Sequence, residues 1–436
     1  MRDGRTLFEG GERALAGLLL FGTLLAGCGP DAGESTEVTT LLRDSAGVLI
    51  SETRGLPSGV PEWRLADEPS LELGRAETPD DPHLFRVWAA FRSGDGARWA
   101  VLSAGLGGVV VYDSVGTFLR QVGRPGEGPG DLNGVWGMWG CGADTVAVAE
   151  SGRVSFFTLD GAYVSSTPHS RIPPSSLGGA IEVQGVSADC RHLFLIDATM
   201  PNPPAVGEVG AVAGAASWFD RDRELRSAEV HFERSQTLGR KVTVTPWMTT
   251  FLLPWGRSTS WTTAGDLVYL GDGSSPVIEA FDLGGRLRRR IVWEATPPII
   301  GRRDEARYDR LRARMIAIYP DREEWVPELR QVSVPETRPF YVDALAGDDG
   351  YLWVQEYPEW AGGLNDILDT GDASDPPGRW LIFDPKGRLT ATVKVPADYE
   401  VLSVAGDEVV AVWKDDLDVE YVRVHAIERP GGASRE

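Results

Sequence analysis

The sequence predicts an all-β protein built from repeated antiparallel units. Five times, a short apolar strand ends in an aromatic residue and is followed by a polar turn and another strand; the aromatic residues are Tyr112, Phe157, Phe219, Phe281 and Phe383. A glycine stands four residues after the aromatic in four of the five, and an aspartate follows it directly in four. Glycine takes the positive φ of a hairpin turn, and aspartate accepts hydrogen bonds from the turn backbone. Each repeat therefore predicts a hairpin.

Further strands precede these hairpins. Alternating apolar residues indicate a second strand at 99–102, 145–149, 192–196, 267–270 and 351–355, and an earlier one at 85–90, 135–139 and 341–345. Units of three or four antiparallel strands, repeated at intervals of 45 to 102 residues, are typical of β-propeller blades. The sequence thus predicts a β-propeller with variable loops.

The last unit indicates how the propeller closes. Its strands at 399–404, 408–413 and 421–427 have no outer partner, and we expect the unassigned strand at 47–52 to complete it. Closure of this kind removes the open edges of a partial ring. We therefore predict six blades over residues 47–428, or seven if the stretch 285–338 contains another.

One segment departs from the strand pattern. Residues 302–318 show the spacing of one helical face, with apolar Tyr308, Leu311, Met315 and Ile318, and Pro320 ends the run. We expect a helical insertion at about 300–330, between the fourth and fifth blades. Residues 286–314 hold ten arginines and four acidic residues. The segment is either a solvated helix face or an anion-binding lid that uses Arg302, Arg303, Arg307 and Arg310.

The N-terminus indicates export. Residues 14–27 are uncharged and would form a helix of about 21 Å, too short to cross a bilayer core of about 30 Å. The run ends in Leu25-Ala26-Gly27-Cys28, which resembles a lipobox, the motif cleaved before a cysteine that receives a lipid. We expect a signal peptide over residues 1–27, then a lipidated Cys28 and flexible tether over 28–46, and a disordered tail over 429–436.

Charge and cysteine content limit the partners and the compartment. The formal net charge is −21, which disfavours binding to nucleic acid. Besides Cys28, the chain has only Cys141 and Cys190. Because both precede second strands of neighbouring units, they form a disulfide if these turns approach each other, and remain free thiols otherwise. We expect a monomer that contacts the membrane through its lipid and faces the periplasm or the cell exterior.

A family resemblance rests on the segment from Gly123 to Leu132, with sequence GRPGEGPGDL. It resembles the glycine-rich connection between blades of six-bladed, NHL-like β-propeller proteins, many of which are bacterial lipoproteins. The resemblance covers residues 47–428 and is strongest over 84–165; it implies a propeller in the cell envelope. A phosphate-binding loop is the alternative, but such a loop needs a Lys-Ser/Thr pair that opens a helix, and a strand follows here.

The sequence predicts no catalytic residue and no metal site. The five histidines lack the spacing of zinc ligands, and no G-x-S-x-G motif is present. We therefore expect a non-catalytic, membrane-anchored scaffold that binds a small molecule or a protein and carries no cofactor. The alternative is a calcium-dependent hydrolase of the lactonase type with a site in the channel, although the chain has only three asparagines among the oxygen donors that calcium prefers.

Overall fold

The structure is a computed structural model that describes residues 38–75, 81–199, 205, 208–239, 250–252, 255–318, 335–347, 349–358 and 375–430. The predicted signal peptide, Cys28, residues 29–37 of the predicted tether and residues 431–436 of the predicted tail lie outside this part. The remainder of the predicted tether is wrong in part, because Thr39–Ser45 forms a strand. Strands dominate what is described, which confirms the all-β prediction. Within the same residues, no helix has both the length and the apolar character needed to cross a membrane.

The strands of the first half are β1 Thr39–Ser45, β2 Val48–Arg54, β3 Glu62–Leu65, β4 Leu71–Leu73, β5 Val87–Arg92, β6 Arg98–Ser103, β7 Gly108–Asp113, β8 Phe118–Val122, β9 Gly137–Cys141, β10 Thr145–Glu150, β11 Arg153–Thr158, β12 Tyr163–Pro168, β13 Ala180–Val186, β14 His192–Thr199 and β15 Val209–Asp220. They are followed by β16 Leu225–Arg226, β17 Val230–Gly239, β18 Thr250–Leu252, β19 Ser260–Ala264, β20 Leu267–Gly271, β21 Val277–Asp282, β22 Leu287–Trp293, the helix α1 Arg302–Ile318, β23 Tyr341–Ala346, β24 Leu352–Glu356, β25 Gly378–Phe383, β26 Leu389–Val395, β27 Glu400–Ala405, β28 Glu408–Lys414 and β29 Glu420–Glu428.

Hydrogen bonds group these strands into five sheets. Four of the sheets contain one antiparallel unit each: β5–β8, β9–β12, β13–β18, and β19–β22 with β2 and β1 added outside. The fifth has nine strands and contains two units, β23–β26 and β27–β29 with β4, because β3 pairs with both β26 and β29. The prediction of six separate blades is therefore wrong: a strand that follows no repeat pattern fuses the last two units.

The first strands of successive units lie side by side. Contacts run from β5 to β9, β13, β19, β23 and β27, and from β27 back to β5. Hydroxyl groups join two of these neighbours: Ser260 Oγ donates to the Val342 carbonyl at 2.7 Å, and Ser403 Oγ donates to the Ala90 carbonyl at 2.9 Å. The strands thus form a closed ring around a central axis, which confirms the propeller-like arrangement.

The predicted hairpin turns have the expected chemistry. In the turn after β7, the backbone N–H groups of Val115 and Thr117 donate to Asp113 Oδ1 at 3.0 and 2.8 Å, and Gly116 has a φ of 92°. Asp384 accepts the equivalent two bonds after β25, where Gly387 has a φ of 80°. The aspartate and the glycine therefore fix the turn locally, as the repeat pattern predicts.

The ring is closed by a different strand from the one predicted. β2, which covers residues 48–52 of the predicted strand 47–52, pairs in parallel with β22 and does not pair with the last unit. β29 instead pairs with β3 and with β4, where Leu73 lies opposite Val422. Next to it, Arg423 Nε donates to Glu72 Oε2 at 2.8 Å. An N-terminal segment does close the ring, but alternation alone cannot distinguish β2 from β4, because both alternate and the partner is distant in sequence.

The core lies between neighbouring sheets, where the second and third strands of several units, such as β6, β7, β10 and β11, bury both faces. In β7, each residue from Val109 to Tyr112 is at most 2% exposed. Val109 and Val111 pack with Met138 and Val146 of the next sheet, whereas Val110 and Tyr112 pack on the sheet of β29. Continuous apolar runs therefore mark strands in these units more clearly than alternation does.

A disulfide joins two units at the end of the ring where the first strands finish. Cys141, the last residue of β9, is bonded to Cys190 in the turn before β14, with a Cα–Cα distance of 5.1 Å. Cys190 has a φ of 62°, in a turn closed by a bond from Ser187 Oγ to Asp189. Gly96 holds the matching position of the first unit with a φ of 71°. The cysteine thus occupies a left-handed position that glycine fills elsewhere.

We expect Leu73→Ala to destabilise the fold by about 2–5 kcal/mol, the usual range for truncating a fully buried leucine. Leu73 is 0% exposed and packs with Val422 at the ring closure. Urea unfolding followed by tryptophan fluorescence measures the change. Leu119→Ala, at a leucine that is 41% exposed, is the control and should change stability by less than about 0.5 kcal/mol. Equal effects of the two substitutions would contradict this account of closure.

Candidate functional site

Topology gathers polar groups at one end of the ring. The first strand of each unit begins at the end where the second strand finishes, because the two are antiparallel. We call this end the ring mouth. The connection from β22 to β23, which contains α1, and the long connection from β24 to β25 both leave from strand ends that belong to it. Connections rather than strands vary most in a propeller, so the mouth is the natural place for a site.

The first strands present polar or aromatic side chains close to their first residues. These side chains are Trp88 on β5, Glu182 on β13, Trp261 on β19, Asp343 on β23 and Glu400 on β27. We call these five residues the mouth cluster. The acidic residues Glu182, Asp343 and Glu400 were not predicted from the sequence, although each is one of the first three residues of a first strand. Trp88 is 50% exposed, which is unusual for a large aromatic side chain.

One part of the mouth cluster already holds a guanidinium group. Arg234 of β17 donates two hydrogen bonds to the Glu182 carboxylate, at 3.1 and 2.8 Å. The same guanidinium lies over the Trp261 ring, 5.6 Å from its centre. The carboxylate and the aromatic face both stabilise the positive charge of Arg234, and more strongly where water is partly excluded.

Asp343 is the most perturbed acid of the mouth. Burial raises the pKa of its carboxyl group to about 6, a backbone bond from Ala344 opposes the shift, and the negative charge of Glu400 adds to it. Burial also raises the pKa of Glu400, against the opposing effect of Lys414 and with a further rise from Glu420. The two acids lie on neighbouring first strands, with Asp343 half-buried and Glu400 exposed, and the charge of Glu400 opposes ionisation of Asp343.

The remaining mouth acids have protein partners. Glu420 is 7% exposed; its Oε2 accepts the Val87 N–H at 2.7 Å, and its Oε1 lies 3.3 Å from Lys414 Nζ. Glu356 lies 3.4 Å from Arg379, although burial still raises the pKa of this carboxyl group. Among the described residues, no three histidine, cysteine or acidic side chains converge as metal ligands.

The predicted anion-binding arginines differ in their surroundings. Arg302, Arg303 and Arg310 are exposed, whereas Arg307 donates to both oxygens of Asp375 at 2.8 and 3.2 Å. Arg307 therefore holds α1 to the body of the protein. Such ion pairs are what we expect if the charged face of the helix is solvated and forms salt bridges. The other three arginines remain candidates for binding an anion.

Other contacts place α1 beside the mouth. The buried Tyr308 ring lies 5.3 Å from that of Trp255, which precedes β19, and Asp304 is 3.4 Å from Arg338, which precedes β23. Of the predicted apolar helix face, only the side chain of Tyr308 lies within the part of the helix whose side chains are described.

The glycine-rich connection between β8 and β9 binds its own aspartate. A Cβ atom added at Gly126 or Gly128 would lie 2.6 or 2.8 Å from Asp131 Oδ2, so the carboxylate fills the concave side of the loop. Gly128 N donates to that oxygen at 3.1 Å, and Arg124 Nε donates to Asp131 Oδ1 at 2.6 Å. A phosphate would meet a negative charge there, which agrees with a structural role for this segment.

A serine, a histidine and a glutamate meet on the surface in an arrangement unlike a catalytic triad. Ser176 Oγ donates to Glu229 Oε2 and lies 3.5 Å from His231 Nε2. The same imidazole nitrogen is 3.5 Å from Glu229, whereas a triad needs the acid on the other nitrogen. Hydrogen bonds from Ser176 help to lower the pKa of Glu229 despite partial burial, which makes it a weaker base.

A separate cavity of about 340 Å³ lies where β3 meets β26 and β29. Trp63, Tyr399 and His425 are among its lining residues. His425 is 4% exposed; its Nδ1 is 3.0 Å from the Ala66 carbonyl, and its Nε2 has no hydrogen-bond partner in the protein. The cavity is formed by the closure of the ring, and Tyr399 in its lining directly precedes Glu400 of the mouth cluster.

Comparison with known proteins finds no matching family model and no matching curated protein. Solved structures do match over most of the chain. A member of the DUF4221 family from Bacteroides vulgatus is 10% identical over 84% of this chain and 99% of that chain, with a TM-score of 0.49. A putative exported protein from Bacteroides fragilis is 11% identical over 84% and 99%, with a TM-score of 0.40. The calcium-binding protein regucalcin from Agrobacterium tumefaciens is 10% identical over 85% and 97%, with a TM-score of 0.32. These values carry no argument about function.

We expect Asp343→Asn to stabilise the protein above pH 7 and to have little effect near pH 4. The folded-state pKa of about 6 exceeds the usual 3.8, so the native protein binds the proton more tightly, and the carboxyl group costs stability as the pH rises through 6. The gain at pH 8 should be about 1–2 kcal/mol after allowance for solvent screening. Urea unfolding at pH 4, 6 and 8 measures it, with the exposed Asp266→Asn as control. A gain that is equal at all three pH values would contradict this origin.

Proposed function

We propose that this protein is a lipid-anchored β-propeller of the cell envelope that binds a ligand with a cationic group at the ring mouth and performs no catalysis. The observation that carries the proposal is the position of Asp343 and Glu400 on neighbouring first strands. The next first strand around the ring, β5, adds the half-exposed ring of Trp88.

Electrostatics support a cationic ligand. Asp343, Glu400 and Glu420 influence one another, and Lys414 is the basic group that lies against this set. When charged, the three acids exceed their basic partner, and the excess is costly because Glu420 is buried and Asp343 is half-buried. An amine or a guanidinium group would remove that cost, and the face of Trp88 would add a cation–π attraction.

A neighbouring part of the mouth supplies a precedent within the chain. Arg234 lies between the Glu182 carboxylate and the Trp261 ring, so the protein itself stabilises a guanidinium group with the two chemical elements that Asp343, Glu400 and Trp88 provide. The ligand would meet the same chemistry two first strands further around the ring.

The cellular location rests on the N-terminal sequence and on the cysteine pair. Leu25-Ala26-Gly27-Cys28 follows an uncharged run of signal-peptide length, and the polar residues after it have the composition of a tether. The geometry of Cys141 and Cys190 suits a disulfide, which persists in an oxidising compartment. Both features support a folded domain outside the cytoplasm.

We expect spermidine and arginine-containing peptides to bind the purified protein, and a neutral oligosaccharide of similar size to bind at least about tenfold more weakly. Isothermal titration at pH 8 measures this, because Asp343, with a pKa of about 6, is then ionised. Trp88→Ala and Asp343→Asn should each weaken binding, whereas Tyr163→Ala, at a tyrosine of β12 that is 39% exposed, should not.

Two outcomes would count against the proposal. Binding that is unchanged in Trp88→Ala and Asp343→Asn would remove the mouth as the site. Tight binding of Ca²⁺ that depends on Asp343 or Glu400, together with hydrolysis of lactone substrates, would instead establish the calcium-dependent hydrolase. That alternative is favoured by the excess of carboxylates at the mouth.

We expect mass spectrometry of protein purified from bacterial membranes to show a diacylglycerol-modified Cys28 at the new N-terminus. Without reduction, Cys141 and Cys190 should resist alkylation, and they should both react after reduction. Cys28→Ala should appear in the aqueous phase of a detergent separation while the wild type appears in the detergent phase. Alkylation of Cys141 and Cys190 without reduction, or an aqueous wild type, would contradict the respective assignment.

A further inference from the structure

The first described strand begins next to the segment that leads into α1. Thr39, the first residue of β1, pairs with Arg54, the last residue of β2. Directly after it, Gly55 N donates to Glu294 Oε2 at 2.8 Å, and Glu294 N donates to the Thr53 carbonyl at 3.1 Å. Glu294 follows β22 and precedes α1 by a few residues, so the N-terminal strand starts on the same rim of the ring as the helix.

This rim carries exposed apolar and basic side chains together. Leu56 is 46% exposed and Ile299 is 73% exposed, and neither is covered by another part of the described chain. The exposed arginines Arg54, Arg302 and Arg303 lie within three or four residues of one of them in sequence. We call these five residues the rim patch. Apolar tips between guanidinium groups are the combination that suits the interface of an anionic bilayer.

The segment on this rim carries a small positive charge in a protein that is otherwise acidic. Residues 294–314, which follow β22, include six arginines and four acidic residues, whereas the whole chain has a formal net charge of −21. An anionic surface therefore repels most of the protein and attracts this segment. If the propeller is held near an anionic surface, the arginines of this segment turn the rim towards that surface.

The tether would hold the propeller near the membrane. From Cys28 to Thr39 there are eleven peptide units, which reach at most about 40 Å when fully extended. A lipid at Cys28 would thus keep the start of β1 close to the bilayer and raise the effective concentration of the rim patch at the membrane. The two acyl chains of a diacylglycerol would anchor the protein, and a nearby basic patch would then decide which side of the body faces the bilayer.

We propose that the rim patch is a membrane-docking surface that rests on anionic phospholipid beside the lipid anchor. The inference rests on the proposed lipidation of Cys28 for its geometry. The partner is the headgroup layer itself: phosphates bind Arg302, Arg303 and Arg54, and Leu56 and Ile299 enter the region between headgroups and acyl chains. Docking fixes which side of the ring faces the bilayer and brings α1, and with it the ring mouth, close to the membrane surface.

A pair of matched probes tests the proposal. Ile299→Cys and Leu225→Cys are each labelled with an environment-sensitive fluorophore in the full-length protein. Leu225 is 63% exposed and lies near the exposed Arg223, but it belongs to β16, at the opposite end of another unit. The samples are mixed with vesicles of phosphatidylcholine alone or with added phosphatidylglycerol. Mass spectrometry of the same samples reports the lipid on Cys28.

We expect the probe at position 299 to shift to the blue and to gain about twofold in emission on the anionic vesicles, and the probe at 225 to stay unchanged. Arg302→Glu with Arg303→Glu should abolish the response at 299 without releasing a lipidated protein from the vesicles. A response at 299 in protein that lacks the lipid would support docking and refute the anchor. A lipidated, vesicle-bound protein with no response at 299, or with equal responses at 299 and 225, would overturn docking and leave the anchor intact.

Discussion

The pairing of β29 with β3 and β4 is the interaction on which the rest of the structure depends. It places Leu73 opposite Val422 and brings Glu72 to Arg423, and it leaves no open edge on the last unit. Without it, β27 would not be held against β5, and the first strands would not form a ring. The mouth cluster exists only because that ring sets residues from separate units at one end.

Ring closure also explains the electrostatics of the mouth. Asp343 and Glu400 belong to units that are distant from β5 in sequence, yet closure places all three first strands around one axis. Asp343 then lies near Glu400, and the charge of Glu400 adds to the effect of burial in raising the pKa of Asp343. Local ion pairs such as Glu356–Arg379 and Glu182–Arg234 balance other acids. The excess of negative charge is consequently concentrated where these two strands meet.

The sequence predicted what is decided locally and missed what is decided by distant partners. The Asp113 and Asp384 turns are self-contained, so their pattern identified the hairpins, and α1 covers the residues expected of it. The closing strand was assigned wrongly because β2 and β4 look alike until their partners are known. Asp343 resembles any acid of a strand; only its place near the start of a first strand distinguishes it. In sequence, Arg307 resembles the other arginines of the helix. Its ion pair with Asp375, 68 residues away, distinguishes it.

The closure has a consequence for how the protein folds. Arg423 and Glu72 are 351 residues apart, so the contact that completes the ring waits for almost the whole chain to be made. Until then β4 is unpaired, and contacts of such high order form slowly. A nascent or translocating chain therefore exposes the edge of β4 for most of its synthesis, and the complementary edge of β29 appears only at the end. Chains that meet at this stage can exchange them, and the expected failure is a domain-swapped dimer joined through β4 and β29 rather than a disordered aggregate.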